Sequence, residues 1–103
     1  MKFQPKPHSI IAVDMDGTLC ENEGFTEQDC IDAKPKMDMI SKINELHHKG
    51  CFIIIYTARR SFLRAVTEYW LEKYEVEYNI IDVGHKVWAD YYIDDRAVNI
   101  NDL

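Results

Sequence analysis

Two short runs of consecutive apolar residues stand out along the chain: Ile10-Ile11-Ala12-Val13 and Cys51-Phe52-Ile53-Ile54-Ile55-Tyr56. Runs of this length, rich in Ile and Val, predict strands buried on both faces. Between them Met37, Ile40, Ile43 and Leu46 recur at helical spacing, interleaved with Asp38, Lys42 and Glu45. Pro35 suits the first turn of that helix, and Gly50 after His47-His48-Lys49 suits its end, with basic residues in the last turn. Beyond the second run, Ser61 predicts an N-cap. Phe62, Leu63, Val66, Tyr69, Trp70 and Tyr74 predict the apolar face of a second helix. A weaker strand is expected over Tyr78–Asp82 and a single helical turn over Val87-Trp88-Ala89. A fourth strand is expected over Tyr91-Tyr92-Ile93, and no fifth after it.

Strands alternating with helices imply parallel pairing and right-handed crossovers. The expected fold is α/β: a small Rossmann-like three-layer sandwich on a mainly parallel four-stranded sheet. The segment 20–34 is polar and acidic, with Glu21, Glu23, Glu27, Asp29 and Asp32 and no helical stripe. It reads as a loop or small hairpin, a flap beside whatever site the sheet carries. No internal repeat or low-complexity tract is present.

The length of 103 residues predicts one domain spanning 1–103. A formal net charge of -6 argues against a non-specific nucleic-acid binder and against a membrane-surface protein. Cys20, Cys30 and Cys51 are in no metal-like spacing and read as reduced thiols, so a cytoplasmic location is expected. No apolar run approaches the ~20 residues of a membrane span. Met1 to His8 is polar, lacks the apolar core of a signal peptide and reads as a lead-in to the first strand.

The chemistry begins where the first apolar run stops, at Asp14-Met15-Asp16-Gly17-Thr18-Leu19. Two carboxylates two residues apart can point into one crevice at a strand's carboxyl end, where open α/β sheets bind ligands. Held close, they repel unless a cation lies between them or one is protonated. Thr57 follows the second strand, Lys86 lies in a loop, and Asp94-Asp95 follows the fourth strand. In a parallel sheet these strand ends share one edge. The set suits attack on a phosphate monoester. Mg2+ prefers oxygen ligands, which Asp14, the Asp16 backbone carbonyl and Asp94-Asp95 can supply. Asp14 would attack phosphorus, giving an aspartyl-phosphate, and Asp16 would protonate the leaving oxygen and later take a proton from water. Thr57 would bond a phosphoryl oxygen and Lys86 would neutralise its charge, with amides around Gly17 and Thr18 as further donors. Arg59 is balanced between substrate phosphate and an ion pair with a neighbouring carboxylate.

The order Asp-x-Asp-Gly-Thr, Thr, Lys, Asp-Asp resembles the haloacid dehalogenase superfamily, most of whose members are phosphohydrolases. The resemblance runs from Ile10 to Arg96. It implies the same roles for Asp14, Asp16, Thr57 and Lys86, and one of Asp94 and Asp95 as direct metal ligand, with Asp95 preferred. Receiver domains use similar groups in another order, with the acidic pair first, and are disfavoured. Neither 20–34 nor the stretch between Thr57 and Lys86 has room for a folded cap domain. An open site either takes a bulky substrate or is closed by a second copy of the chain. The whole chain looks like small capless phosphatases of bacterial capsule and lipopolysaccharide sugar pathways. Its Thr57-Ala58-Arg59 and Asp94-Asp95-Arg96 segments are also similar to the phosphatase half of polynucleotide kinase-phosphatases. A small phosphorylated metabolite such as a sugar phosphate is the expected substrate. The acidic balance disfavours a nucleic-acid end, against which stands the cluster Arg59, Arg60, Arg64 and Arg96. A catalytically inactive phosphate-binding module is the non-enzyme alternative.

Some features draw a plainer reading. His47 and His48 are adjacent and cannot share one helical face as an i, i+4 metal pair does, so they read as charges at a helix terminus. Trp70 and Trp88 read as core or interface, and Cys20 as packing.

Overall fold

The computed structural model describes residues 4–22, 24–83, 88–94 and the backbone of 98–100. Strand β1 (Ile10–Asp14) is followed by a two-residue strand β2 (Cys20–Glu21), helix α1 (Glu27–Asp32) and a second two-residue strand β3 (Lys34–Pro35). Helix α2 (Met37–His48), strand β4 (Phe52–Thr57), a 3-10 turn (Ser61–Leu63) and helix α3 (Arg64–Lys73) come next. Strands β5 (Ile80–Val83), β6 (Tyr91–Ile93) and β7 (Val98–Ile100) complete the order.

The main sheet has the order β5-β4-β1-β6-β7. β1 pairs in parallel with β4 on one side and β6 on the other, and β4 pairs in parallel with β5. The four expected strands and their parallel pairing are present. A fifth, β7, adds antiparallel to β6 and was not expected: Val-Asn-Ile is too short to carry a periodic signal. β1 lies at the centre, so Ile11, Ala12 and Val13 have no exposed surface, as an unbroken apolar run requires. Ile11, Val13 and Met15 pack with Ile53 and Ile55 of β4, with Ile40, Ile43 and Leu46 of α2, and with Trp70 and Leu71 of α3 in one core. The opposite face carries a thin layer in which Ala89 and Tyr92 cover Ala12. No separate cap stands over the sheet among the described residues.

Of the two readings of 20–34 the small hairpin is present, and the helix α1 inside it was not expected. β2 and β3 pair antiparallel and enclose α1, whose Thr26 accepts a hydrogen bond from the Asp29 amide at 3.0 Å while the Asp29 carboxylate accepts from the Thr26 amide at 3.2 Å. This reciprocal cap substitutes for the missing apolar stripe, since α1 buries only Cys30. A Cβ on Gly24 would collide with the Asp29 carboxylate, so glycine makes room for the cap. Pro35 belongs to β3, and α2 starts at Met37. Thr26→Ala is expected to cost about 1 kcal/mol of stability. Urea denaturation measures this, and an unchanged midpoint would mean that the cap contributes nothing.

The buried face of α3 differs from the sequence expectation. Leu63 precedes it, and Thr67, Trp70 and Leu71 are buried, while Phe62 and Tyr69 are more than half exposed. Trp70 is core, as expected, with its indole N–H donating to the Ala33 carbonyl at 2.9 Å. A polar residue, Thr67, occupies the inward position because it has a buried partner: Arg59 Nη1 donates to its hydroxyl at 2.8 Å, and that hydroxyl donates to the Leu63 carbonyl at 2.7 Å. Trp88 is 61% exposed, not core, and neither Trp88 nor Ala89 is helical. No helix among the described residues is long and apolar enough to cross a membrane.

Candidate active site

Parallel pairing brings the carboxyl ends of β1, β4 and β6 to one edge. Asp14 is the last residue of β1 and lies opposite Tyr56 in the β4 register. Asp16 follows in the turn, Thr57 closes β4, and Asp94 follows β6 directly. Lys86 and Asp95 lie outside the described residues, as do His85 and Arg96.

The turn after β1 is closed by its own backbone. Gly17 takes a φ of 89° and its amide donates to the Cys20 carbonyl at 2.8 Å. The Thr18 amide donates to the Met15 carbonyl at 3.3 Å, and Leu19 to the same carbonyl at 3.0 Å. The amides of Gly17 and Thr18 therefore serve the turn itself. Lys36 ties the turn to the start of α2, its Nζ donating to the Gly17 carbonyl at 2.6 Å. A cleft of about 520 Å³ opens beside this contact, with Gly17, Thr18, Lys36 and Lys42 in its wall.

Asp16 is the most heavily bonded group in the region. Arg59 grips it with Nη2 at 2.7 Å from Oδ1 and Nε at 3.0 Å from Oδ2. Asn22 Nδ2 donates to Oδ1 at 2.9 Å and the Thr57 hydroxyl to Oδ2 at 3.3 Å. Burial alone would raise the Asp16 carboxyl. The Arg59 and Asn22 hydrogen bonds, the Arg59 charge and the Thr57 hydroxyl outweigh it and hold the carboxyl below its ordinary range. Arg59 itself is 1% exposed, with Nη1 on Thr67, so it forms the ion pair with a neighbouring carboxylate that the sequence left open. Thr57 is equally buried, and its hydroxyl also accepts the Arg59 amide at 3.1 Å. Cys20 is wholly buried below the pair. Burial, followed by the Asp16 charge, pushes its thiol up to about 12, which makes it an inert packing group.

Asp14 and Asp94, at the ends of β1 and β6, both lie close enough to Tyr56 for their charges to act on its hydroxyl. Burial and then the charges of Asp14 and Asp94, with Tyr92, push that phenol up to about 12. The Tyr56 ring packs edge-on against Tyr92, with centroids 6.2 Å apart. Two carboxylates from neighbouring strands thus act on one hydroxyl, and they supply the hard oxygen donors that Mg2+ prefers. Tyr56, Asn22, Lys36 and Thr67 were not singled out in the sequence. Tyr56 sat within an apolar run, and Asn22 and Lys36 reach the site only through the fold of 20–36.

Comparisons with known proteins agree with this architecture. No protein-family model matches the chain, and no curated protein matches it. Two solved chains of the Pnkp1/Rnl/Hen1 RNA repair complex superpose with TM-scores of 0.67 and 0.67 at 18% and 17% identity, over 78% and 80% of this chain. This chain spans only 29% and 28% of their length, and the likeness concerns the fold alone. A crystallised protein from Vibrio cholerae superposes with a TM-score of 0.65 at 33% identity, covering 87% of this chain and 82% of the other. Identity at that level across most of both chains is shared descent: the chain belongs to the same family as the Vibrio cholerae protein.

Proposed function

We propose that the chain is a magnesium-dependent phosphomonoester hydrolase of the haloacid dehalogenase type, working through an aspartyl-phosphate. The observation that carries this reading is the gathering of Asp14, Thr57 and Asp94 at the carboxyl ends of the paired strands β1, β4 and β6, with the Thr57 hydroxyl on Asp16 at 3.3 Å. Asp14 and Asp94 would hold the metal together with the Asp16 backbone carbonyl, Asp95 supporting them. Bound there, Mg2+ offsets the charge that otherwise keeps an anionic nucleophile from a phosphate dianion.

An Asp14 carboxylate oxygen attacks phosphorus and the ester P–O bond breaks, its electron pair leaving on the departing oxygen. Asp16 supplies that oxygen's proton. Water then attacks the acyl phosphate, Asp16 takes its proton, and inorganic phosphate leaves with Asp14 restored. Arg59 positions Asp16 and favours its ionised form, which suits the second step and taxes the first. Leaving groups that need no proton, such as aryl oxides, are therefore the least sensitive to this restraint, which makes an aryl phosphate a suitable first probe. Lys86 is assigned to the phosphoryl oxygens, and Thr57 joins it by turning its one hydroxyl proton from Oδ2 of Asp16 to the substrate.

The favoured substrate is a small phosphorylated metabolite such as a sugar phosphate. Lys36 and Lys42 in the cleft beside Gly17 offer charge and hydrogen bonds to its remainder. The fold likeness to the RNA repair chains favours a second reading, a polynucleotide 3'-phosphatase. The net charge of -6 weighs against it, as does Arg59, whose guanidinium is committed to Asp16 and Thr67. A second copy of the chain would close the open site.

Phosphate release from an aryl phosphate, with and without Mg2+, tests the activity. Release that requires the metal is expected. No release at any pH with Mg2+ present would leave a phosphate-binding module instead. Sugar phosphates, nucleotides and 3'-phosphorylated oligonucleotides compared by kcat/KM then decide the substrate, with the sugar phosphates expected to lead.

A further inference from the structure

The end of α2 remote from the catalytic edge carries a second cluster with ligand chemistry. We propose that His47, His48 and Glu77 form a binding site for a divalent transition metal of the Zn2+ class. Glu77 Oε1 lies 2.7 Å from His48 Nε2 and 3.5 Å from His47 Nδ1. The three ligand atoms all lie within 4.8 Å of one another.

Adjacent residues on a helix point about 100° apart, and two such histidines do not normally share a ligand. Here they converge because each uses a different nitrogen. His47 presents Nδ1, close to its backbone, and His48 presents Nε2, at the far end of its ring. That near nitrogen of His47 is screened from solvent and has no hydrogen-bond partner among the described residues. A buried ring nitrogen left without a partner is costly, and a metal would satisfy it.

Glu77 is delivered to the histidines by the backbone rather than by its own ion pair. Asn44, one turn earlier on α2, donates from Nδ2 to the Glu75 carbonyl at 3.0 Å and accepts the Glu77 amide on Oδ1 at 2.8 Å. These two bonds hold the 75–77 segment over the end of α2. Such support fixes ligands in place before any ion arrives.

The two His–Glu77 spacings suit a tetrahedral ion. Zn–N and Zn–O bonds of about 2.0–2.1 Å put ligand atoms about 3.3–3.5 Å apart. The His47–Glu77 distance already fits. His48 has to withdraw by about 0.6 Å to reach that separation, and its side chain is 66% exposed and free to do so. Two imidazoles and one carboxylate suit Zn2+, Co2+ or Ni2+ and not Mg2+, which prefers oxygen and its own waters. Bound there, the ion would join the end of α2 to the segment leading into β5.

The test is calorimetric titration of the full chain with Zn2+ alone as the added probe, in buffer containing saturating Mg2+ to occupy the hard-oxygen site. One equivalent is expected to bind, raising the melting temperature. Glu77→Gln, His48→Gln and His47→Gln should each weaken binding at least about tenfold, while Asp14→Asn leaves it unchanged. The buried thiols of Cys20, Cys30 and Cys51 are not expected to compete. Co2+ replaces Zn2+ for a spectroscopic check, and its visible absorption should vanish in the same three variants. The assignment is overturned by the absence of saturable binding, by binding that survives all three substitutions, or by binding lost only in Asp14→Asn. Because Mg2+-dependent phosphate release is not among the readouts, the result is independent of the catalytic proposal.

Discussion

Replacing Arg59 by Met is expected to destabilise the protein by about 3–5 kcal/mol at neutral pH, the usual cost of removing one member of a buried ion pair. The guanidinium has no exposed surface and the Asp16 side chain only 22%, so water cannot take over from Arg59. Thr67 also loses its donor. A domain of this size has about 5–15 kcal/mol to lose, so the loss is a large fraction of the total. The double variant Asp16→Asn/Arg59→Met should recover part of the loss, because the stranded charge goes with its partner. The pH dependence has a defined sign. The folded Asp16 carboxyl lies below its unfolded value, so the pair's contribution is fully present above the unfolded value. That contribution is lost as pH falls through the folded one. The deficit of Arg59→Met relative to the parent should therefore be largest near neutrality and shrink in acid, where Asp16 is neutral in both. Urea titrations across pH measure it. A deficit that does not vary with pH would mean that Arg59 acts by packing alone.

Replacing Asp14 by Asn is expected to lower phosphate release by about 10⁴-fold or more, as removal of a covalent nucleophile does. Folding should be unaffected or slightly favoured, since one of two carboxylates near Tyr56 becomes neutral. The same substitution carries a readout independent of catalysis. Asp14 is one of the charges that raise the Tyr56 phenol, after burial itself, so Tyr56 should ionise at lower pH in the variant. Phenolate absorbance during an alkaline titration reports this. Retained turnover would exclude Asp14 as nucleophile. An unmoved Tyr56 would separate Asp14 from the Asp94 cluster on which the metal assignment rests.

The two variants probe different parts of one arrangement. Asp14 projects from the end of the central strand, and its role depends on what meets it from β6. Asp16, two residues on, faces β4 and α3 through Arg59 and Thr67. Spacing alone treats the pair as equals in one crevice. Their environments divide them: Asp14 acts on the Tyr56 phenol together with a like charge, Asp94, whereas Asp16 is neutralised by a buried cation. Opposed environments of this kind are how two carboxylates in one site take separate tasks.

Much of the scaffold was legible because it depends on short-range rules. Ile10–Val13 and Cys51–Tyr56 had to be central strands, since no other position hides an unbroken apolar run. Alternation with helices then required parallel pairing, which brings Asp14, Thr57 and Asp94 to one edge. What was not legible depends on contacts between distant segments. The helix α3 turns Thr67 inward, where Arg59 finds a buried acceptor, and leaves Tyr69 outside, as the preceding turn does Phe62, an arrangement that hydrophobic periodicity does not contain. The segment 20–34 lacks an apolar stripe, so only the Thr26–Asp29 spacing hinted at α1. That Glu77 comes to lie beside His47 and His48 depends on Asn44, which holds the 75–77 backbone over the end of α2.

By itself the sequence determined the class of fold, the central strand and the edge at which its carboxylates gather, because burial and chirality leave few alternatives for such a pattern. Only the tertiary structure decided the partners of those groups. Arg59, near balanced between a substrate phosphate and a protein carboxylate, is bound to Asp16 because folding places the two within hydrogen-bond reach and away from water. Charge pairing in a buried site depends on distance and dielectric, and neither is written in the order of residues.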